Sequence, residues 1–118
     1  ELIGTEINVG DKAPAITVVN SDGLGDVTVG GAQGHKQLII VVPSLDTGVC
    51  ATETRNFNAK ASSLNGVKPT IVSLDLPFAA GRFCSTEGIN DLTVTSDFRN
   101  KDFANAYGVL LGGSVLAG

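Results

Sequence analysis

The sequence predicts an α/β domain, and three observations carry this prediction. Two short apolar runs rich in β-branched residues, 38–42 and 70–74, have the composition of strands buried on both faces of a sheet. A helical segment follows each run, and such alternation is typical of parallel strands joined by helical crossovers. A length of 118 residues allows a single hydrophobic core, so we predict one domain over residues 1–118.

The chain before the first long apolar run predicts short strands and turns. The first ten residues are mixed and are interpreted as the end of a hairpin. Residues 16–19 and 27–29 are strand candidates, separated by an Asn-Ser-Asp-Gly segment with strong turn chemistry. Residues 30–34 are rich in glycine but lack the spacing of a Walker or dinucleotide-binding loop, so we predict a flexible connection there.

Residues 37–42 are predicted to form the central strand, and the elements after it alternate. Residues 51–64 are predicted to be a helix because Phe57, Ala61 and Leu64 share one of its faces. Pro77 is suited to the first turn of a second helix. The other predicted elements are a helix cap at 65–66, a strand at 92–94, a helix at 101–107 and a loop at 112–118.

Composition and charge exclude several function classes. The net charge is −4, from 12 acidic and 8 basic residues with no cluster of either sign. This balance argues against nucleic acid or an anionic membrane as a partner. No stretch is long and apolar enough to predict a transmembrane helix.

The two cysteines limit the chemistry that the chain can carry. Cys50 and Cys84 lie 34 positions apart and form no Cys-x-x-Cys pair. With His35 as the only histidine, a zinc site is not expected. Two cysteines are also too few for the framework of a small disulfide-dependent secreted domain. We therefore expect a cytoplasmic protein with a transient, working disulfide, and leave a periplasmic location open.

The residues around Cys50 predict a reactive thiol. Pro43 lacks a backbone donor and should end the preceding strand. Asp46, Thr47 and Gly48 have the chemistry of a helix start, so Cys50 is expected in or just before the first turn. A thiolate is favoured over a thiol at the positive end of a helix dipole.

The helix dipole alone is too weak to create this thiolate. An ordinary thiol, with a pKa of ~8.5, is only about 3% ionised at pH 7. Reaching a pKa of ~6 requires about 3.4 kcal/mol of stabilisation. A helix terminus contributes at most ~2 kcal/mol. A second group must therefore assist, such as the Thr47 hydroxyl or a nearby guanidinium.

The segment Pro-Ser-Leu-Asp-Thr-Gly-Val-Cys at residues 43–50 carries a family resemblance. With Arg55 and the Phe-Asn pair at 57–58, it resembles the active-site segment of the bacterial thiol peroxidases, which are atypical two-cysteine peroxiredoxins. Further matching segments follow in the same order and spacing, at residues 75–79, 82–84, 87–88, 98–100 and 106–109. The resemblance therefore covers nearly the whole chain.

This resemblance implies a thioredoxin-like fold, which is a three-layer α/β sandwich with a central mixed sheet flanked by helices. It implies a homodimer that reduces hydrogen peroxide or organic hydroperoxides, takes its reducing equivalents from thioredoxin and needs no metal or organic cofactor. By the same resemblance, Cys50 is the peroxidatic cysteine and Cys84 the resolving cysteine of an intramolecular disulfide. Pro43 and Thr47 complete the peroxide pocket.

The resemblance also implies parts that this sequence does not contain. Peroxiredoxins place an essential arginine on a strand near the end of the chain, and Arg55, Arg82 and Arg99 do not map to that role. The last two strands and the final helix are likewise expected after Gly118, and the first hairpin is clipped. We therefore expect the domain over residues 1–118 to be incomplete at both ends.

Three functional hypotheses remain open from the sequence. The first is the peroxidase, in which closing a disulfide between two helices requires local unfolding, with Gly81 and Gly88 flanking Cys84. The second is a peroxide-sensing redox switch that uses the same cysteine pair without multiple turnover. The third is a non-catalytic domain with a structural disulfide. The plainer readings are that Cys50 and Cys84 are core thiols, Thr47 a helix cap and Pro43 a strand terminator.

Overall fold

The computed structural model describes residues 2–34, 36–45, 48–61, 67, 69–89 and 92–111. It confirms an α/β fold. The strands are β1 (Leu2–Ile3), β2 (Ile16–Asn20), β3 (Asp26–Val29), β4 (Ile39–Val41), β5 (Thr70–Ser73), β6 (Thr93–Ser96) and β7 (Leu110–Leu111). The helices are α1 (Gly48–Ala61), α2 (Pro77–Glu87) and α3 (Asp102–Ala106).

Five of these strands form one mixed sheet in the order β3-β2-β6-β5-β4. Strands β4, β5 and β6 run parallel to one another, and α1 and α2 provide the crossovers between them. Strand β2 is antiparallel to both β3 and β6. The predicted parallel crossovers and mixed sheet are therefore confirmed.

The two faces of the sheet carry separate apolar clusters. Ile71 points to one face and its neighbour Val72 to the other, as the two-residue period of a strand requires, and both are fully buried. The Ile71 cluster contains Cys50 of α1 and Ala80 of α2, whereas the Val72 cluster contains Phe103 of α3. The fold thus has three layers, and both cysteines lie on the side of α1 and α2.

The strand predicted as central lies elsewhere in the sheet. Strand β4 is shorter than the predicted 37–42, and within the described residues it occupies an edge of the five-stranded sheet. Ile39 and Val41 are only half-buried there, while Ile40 is buried. This run is therefore not buried on both faces in the described structure. The prediction failed because apolar composition does not reveal the position of a strand in the sheet.

Several predicted boundaries also shift. At the N-terminus β1 pairs antiparallel with β7, a long-range pairing that the sequence did not indicate, and the predicted hairpin end stays a prediction. Helix α1 begins at Gly48 rather than residue 51, and α3 begins after Lys101, whose φ of 56° is not helical. Strand β6 extends to Ser96 because Thr95 and Ser96 pair with β2. The predicted cap at 65–66, the loop at 112–118 and Leu64 lie outside the described residues.

The glycine-rich loop is not the flexible connection that the sequence predicts. Gly30 has a φ of +81°, and a side chain there would collide with the Pro14 carbonyl and the Tyr107 hydroxyl. The Gly30 amide donates a hydrogen bond to the Gln37 side chain at 3.0 Å. The Tyr107 hydroxyl donates to the Pro14 carbonyl at 2.6 Å. These contacts give the loop a defined conformation.

Candidate functional site

Cys50 is the third residue of α1 and is 7% exposed. The prediction that it falls in the first turn of a helix is confirmed. Its side chain belongs to the cluster that contains Val42 and Leu45, so the strand and loop before the helix form part of its surroundings. A buried thiol at a helix N-terminus experiences the helix dipole with little screening by water.

The loop between β4 and α1 carries the other predicted site residues. Pro43 is half-buried and lies two positions after the end of β4, as expected of a strand terminator. Asp46 and Thr47 lie outside the described residues, so the assignment of Thr47 to the peroxide pocket stays a prediction. The structure thus brings Pro43 and Cys50 to the two ends of one short connection.

A carboxylate that the sequence did not single out holds this loop. Asp75 accepts a hydrogen bond from the Ser44 hydroxyl at 2.7 Å, and its other carboxylate oxygen accepts one from the Leu45 backbone N–H at 2.7 Å. The parallel register of β4 and β5 pairs Val41 with Val72, and continued by three residues it brings 44 beside 75. The strand register, which no local sequence pattern reports, is therefore what brings Asp75 to the loop.

Cys84 lies in α2, is half-buried and packs against the same apolar cluster as Cys50. Both cysteines are free thiols. Cys84 lines a cleft of about 780 Å³, together with residues that include Ser21, Asp22 and Phe78. The structure therefore brings the two predicted redox cysteines to one core region, from two different helices.

The surroundings of Cys84 keep it protonated. Burial raises the pKa of the Cys84 thiol, and the nearby Asp22 carboxylate raises it further. A hydrogen bond with the Ser21 side chain and a backbone hydrogen bond oppose this effect without cancelling it. Near neutral pH, Cys84 is thus a thiol rather than a thiolate.

The two cysteine-bearing helices are joined by an ion pair. The Arg55 guanidinium on α1 contacts the Glu87 carboxylate at the end of α2 at 2.8 Å, and both side chains are partly exposed. Arg55 also donates to the Thr52 hydroxyl at 3.2 Å. Arg55 is therefore an exposed residue that also links α1 to α2.

One buried hydroxyl on α1 lacks a hydrogen-bond partner among the described residues. Thr54 is fully buried, and its Oγ1 accepts and donates nothing there. It follows Cys50 by four residues, so the two side chains lie on the same face of the helix. An unsatisfied buried hydroxyl destabilises the helix that contains it.

The described part of the chain contains no group of three or more His, Cys, Asp or Glu residues that could hold a metal ion. Nor does any helix there have the length and apolar character needed to cross a membrane.

Comparison with known sequences gives a consistent result. The redoxin family profile matches residues 8–118. A thiol peroxidase of Campylobacter jejuni is 51% identical over 118 residues, covering 100% of this chain and 66% of that protein. A thiol peroxidase of Aquifex aeolicus is 51% identical over 117 residues, covering 99% of this chain and 68% of its own length. The chain thus spans about two thirds of the length of these curated relatives.

Solved structures show the same likeness. A peroxiredoxin-like protein from Aquifex aeolicus superposes with a TM-score of 0.91 at 50% identity, covering 98% of this chain and 68% of that one. A thiol peroxidase from Chromobacterium violaceum gives a TM-score of 0.77 at 23% identity, covering 99% of this chain and 69% of that one. At this lower identity the second likeness concerns the fold alone.

Proposed function

Because this chain belongs to the redoxin family and, within it, to the thiol peroxidases with their thioredoxin-like fold, we propose that it is a thiol-dependent peroxidase. Its substrates in this proposal are hydrogen peroxide and organic hydroperoxides, and the two cysteines carry the reaction. The main support is that one apolar cluster contains a buried thiol at a helix N-terminus and a second, half-buried thiol on a neighbouring helix.

Cys50 takes the peroxidatic role in this proposal. Its thiolate attacks the terminal oxygen of the peroxide, the O–O bond breaks, and water or an alcohol leaves after taking up a proton. Cys50 is oxidised to a sulfenic acid, and the peroxide is reduced by two electrons. The position of Cys50 in the first turn of α1 supports this role, because the dipole favours the attacking anion.

Cys84 takes the resolving role. Its sulfur attacks the sulfenic sulfur of Cys50, an S–S bond forms, and the hydroxyl leaves as water. A dithiol protein, thioredoxin in our proposal, then reduces the disulfide by thiol exchange and is itself oxidised. The raised pKa of the Cys84 thiol supports this order of events, since a protonated thiol competes poorly with Cys50 for peroxide.

The remaining parts of the proposal rest on the family resemblance. Pro43 and Thr47 line the peroxide pocket, and the protein is a homodimer that needs no metal or organic cofactor. The proposed cytoplasmic location rests instead on the small number of cysteines. The half-buried position of Pro43, between β4 and the helix that carries Cys50, is compatible with a pocket wall.

Turnover is the direct test. Peroxide consumption is measured with thioredoxin, thioredoxin reductase and a reduced nicotinamide as the electron source, with Cys50→Ser as the matched control. The proposal expects many equivalents of peroxide consumed per protein chain and none above background for the control. Consumption that stops after one equivalent, with reduced thioredoxin present, would instead indicate a redox sensor.

A further inference from the structure

The carboxylate of Asp75, two residues after β5, links the end of the sheet to the loop that leads into Cys50. Its Oδ1 accepts from the Ser44 hydroxyl at 2.7 Å, and its Oδ2 accepts from the Leu45 backbone N–H at 2.7 Å. These two donors are consecutive residues, so one side chain fixes both the backbone and a side chain of the loop. Gly48, where α1 begins, follows Leu45 by three positions.

Asp75 is itself held by two buried serines at the ends of neighbouring strands. The Ser73 hydroxyl donates to Oδ2 of Asp75 at 3.2 Å and accepts from the Asp75 backbone N–H at 3.3 Å. The Ser96 hydroxyl donates to the Asp75 carbonyl. Ser73 is 1% exposed and Ser96 is 0% exposed, so this support belongs to the packed sheet.

We propose that Asp75 is a positioning residue that holds the Ser44–Leu45 loop, and with it the N-terminus of α1, in the geometry needed for peroxide attack by Cys50. The inference deepens the proposed function and rests on it. Asp75 touches the loop rather than the reacting sulfur in the described structure, so its effect passes through Ser44 and Leu45. Charge-assisted hydrogen bonds of this length are among the stronger ones available to hold a loop.

The proposal predicts a specific kind of loss. Peroxide must approach Cys50 in line with the S–O bond that forms, and a displacement of about 1 Å can cost about 100-fold in rate. Alkylation by iodoacetamide also requires the thiolate, but it does not use the peroxide pocket. Loosening the loop should therefore reduce the rate constant for peroxide more than the rate constant for iodoacetamide.

Asp97 provides a matched control in the same fold. It directly follows β6, whereas Asp75 lies two residues after β5. Asp97 is buried and accepts hydrogen bonds from the backbone N–H groups of Phe103 and Ala104 at 3.0 and 2.9 Å. Those donors belong to α3, on the opposite side of the sheet from the cysteines. Replacing Asp97 therefore removes a similar set of hydrogen bonds without touching the Cys50 loop.

The experiment measures single-turnover oxidation by hydrogen peroxide and alkylation by iodoacetamide, both as loss of the Cys50 thiol in rapid-quench samples. All proteins carry Cys84→Ser, so that Cys50 is the only thiol. For Asp75→Ala we expect the ratio of the peroxide to the iodoacetamide rate constant to fall about 10- to 100-fold. For Asp75→Asn we expect a smaller fall, because the amide oxygen can still accept from Leu45. For Asp97→Asn we expect an unchanged ratio.

A milder variant keeps the test decisive if Asp75→Ala does not fold. Ser44→Ala removes one of the two loop donors and should lower the ratio by about two- to tenfold. An unchanged ratio in the folded Asp75 and Ser44 variants, or an equal fall in Asp97→Asn, would overturn the proposal. Failure of the proposed function is distinguishable, since the Cys84→Ser parent would then react with peroxide no faster than free cysteine does.

Discussion

The two cysteines share one apolar cluster but occupy different surroundings. Cys50 is buried in the first turn of α1, at the helix end where backbone N–H groups have no partner within the helix. Cys84 is half-buried along α2, beside the Asp22 carboxylate and at the wall of an open cleft, and its thiol has a raised pKa. The two thiols thus differ in their position along a helix, in burial and in the charge nearby, and on this difference our proposal gives Cys50 the attacking role and Cys84 the resolving role.

Replacing either cysteine should have the largest effect, and the two replacements should affect different steps. Cys50→Ser should abolish the first oxidation by one equivalent of peroxide, a loss of about 10³-fold or more in the rate constant. Cys84→Ser should keep the first oxidation and lose only disulfide formation. Stopped-flow measurement with one equivalent of peroxide separates the two. If Cys84→Ser loses the first turnover as completely as Cys50→Ser, the assigned roles are wrong.

The pH dependence of disulfide formation should show the next largest effect and report the ionisation of Cys84. The attacking form of Cys84 is its thiolate, and its pKa is raised by burial, so only a small fraction is ionised near pH 7. The rate constant for disulfide formation, measured after rapid oxidation of Cys50, should therefore increase about tenfold per pH unit through the neutral range. A rate constant that is flat with pH would mean that Cys84 is not the limiting nucleophile.

Selective stabilisation of each helix should show which one opens before the disulfide closes. Gly81→Ala should stabilise α2 by about 0.5–1 kcal/mol, because alanine has a higher helix propensity than glycine. The added Cβ fits, since it meets only the Ser21 carbonyl oxygen, at 3.4 Å. Thr54→Val should stabilise α1 by about 1 kcal/mol by removing a buried hydroxyl that has no hydrogen-bond partner in the described part of the chain.

The readouts are the free energy of unfolding in urea and the rate of disulfide formation. If α2 opens, Gly81→Ala should slow disulfide formation by about two- to fivefold, and Thr54→Val should leave it unchanged. The opposite pattern would assign the opening to α1. Equal rates in both variants and the wild type would contradict the requirement for local unfolding.

The ion pair between the two helices should have the smallest effect. Arg55 and Glu87 are partly exposed, so Arg55→Ala should lower the free energy of unfolding by about 0.2–1 kcal/mol, and less at high salt. Arg99→Ala is the matched control, since Arg99, in the turn after β6, contacts Asp26 of β3 at 3.6 Å and neither residue belongs to a cysteine-bearing helix. A decrease in the free energy of unfolding well above that range would mean that this ion pair is a major stabilising contact between α1 and α2.

The sequence predicted the local features of the site and missed the long-range ones. Pro43 and Gly48 mark a strand end and a helix start, so the placement of Cys50 in the first turn followed from neighbours along the chain. Asp75 depends on the register between β4 and β5, and no local pattern reports such a register.

The same distinction explains the corrections to the fold. The pairing of β1 with β7 joins the two ends of the described chain, and the edge position of β4 depends on the order of all five strands. Apolar composition predicted that residues 38–42 form a strand, but it could not reveal which neighbours that strand has. The defined shape of the loop at Gly30 likewise depends on Pro14 and Tyr107, which are distant in sequence.

The most direct test of the account is to locate the first oxidised sulfur. The wild-type protein is treated with less than one equivalent of hydrogen peroxide in the presence of a sulfenic-acid trapping reagent, and the tagged peptides are identified by mass spectrometry. We predict the tag on Cys50. We also predict that the yield of the Cys50–Cys84 disulfide increases as the concentration of the trapping reagent is lowered, because Cys84 and the reagent compete for the sulfenic acid. A tag on Cys84, with Cys50 still a free thiol, would contradict it.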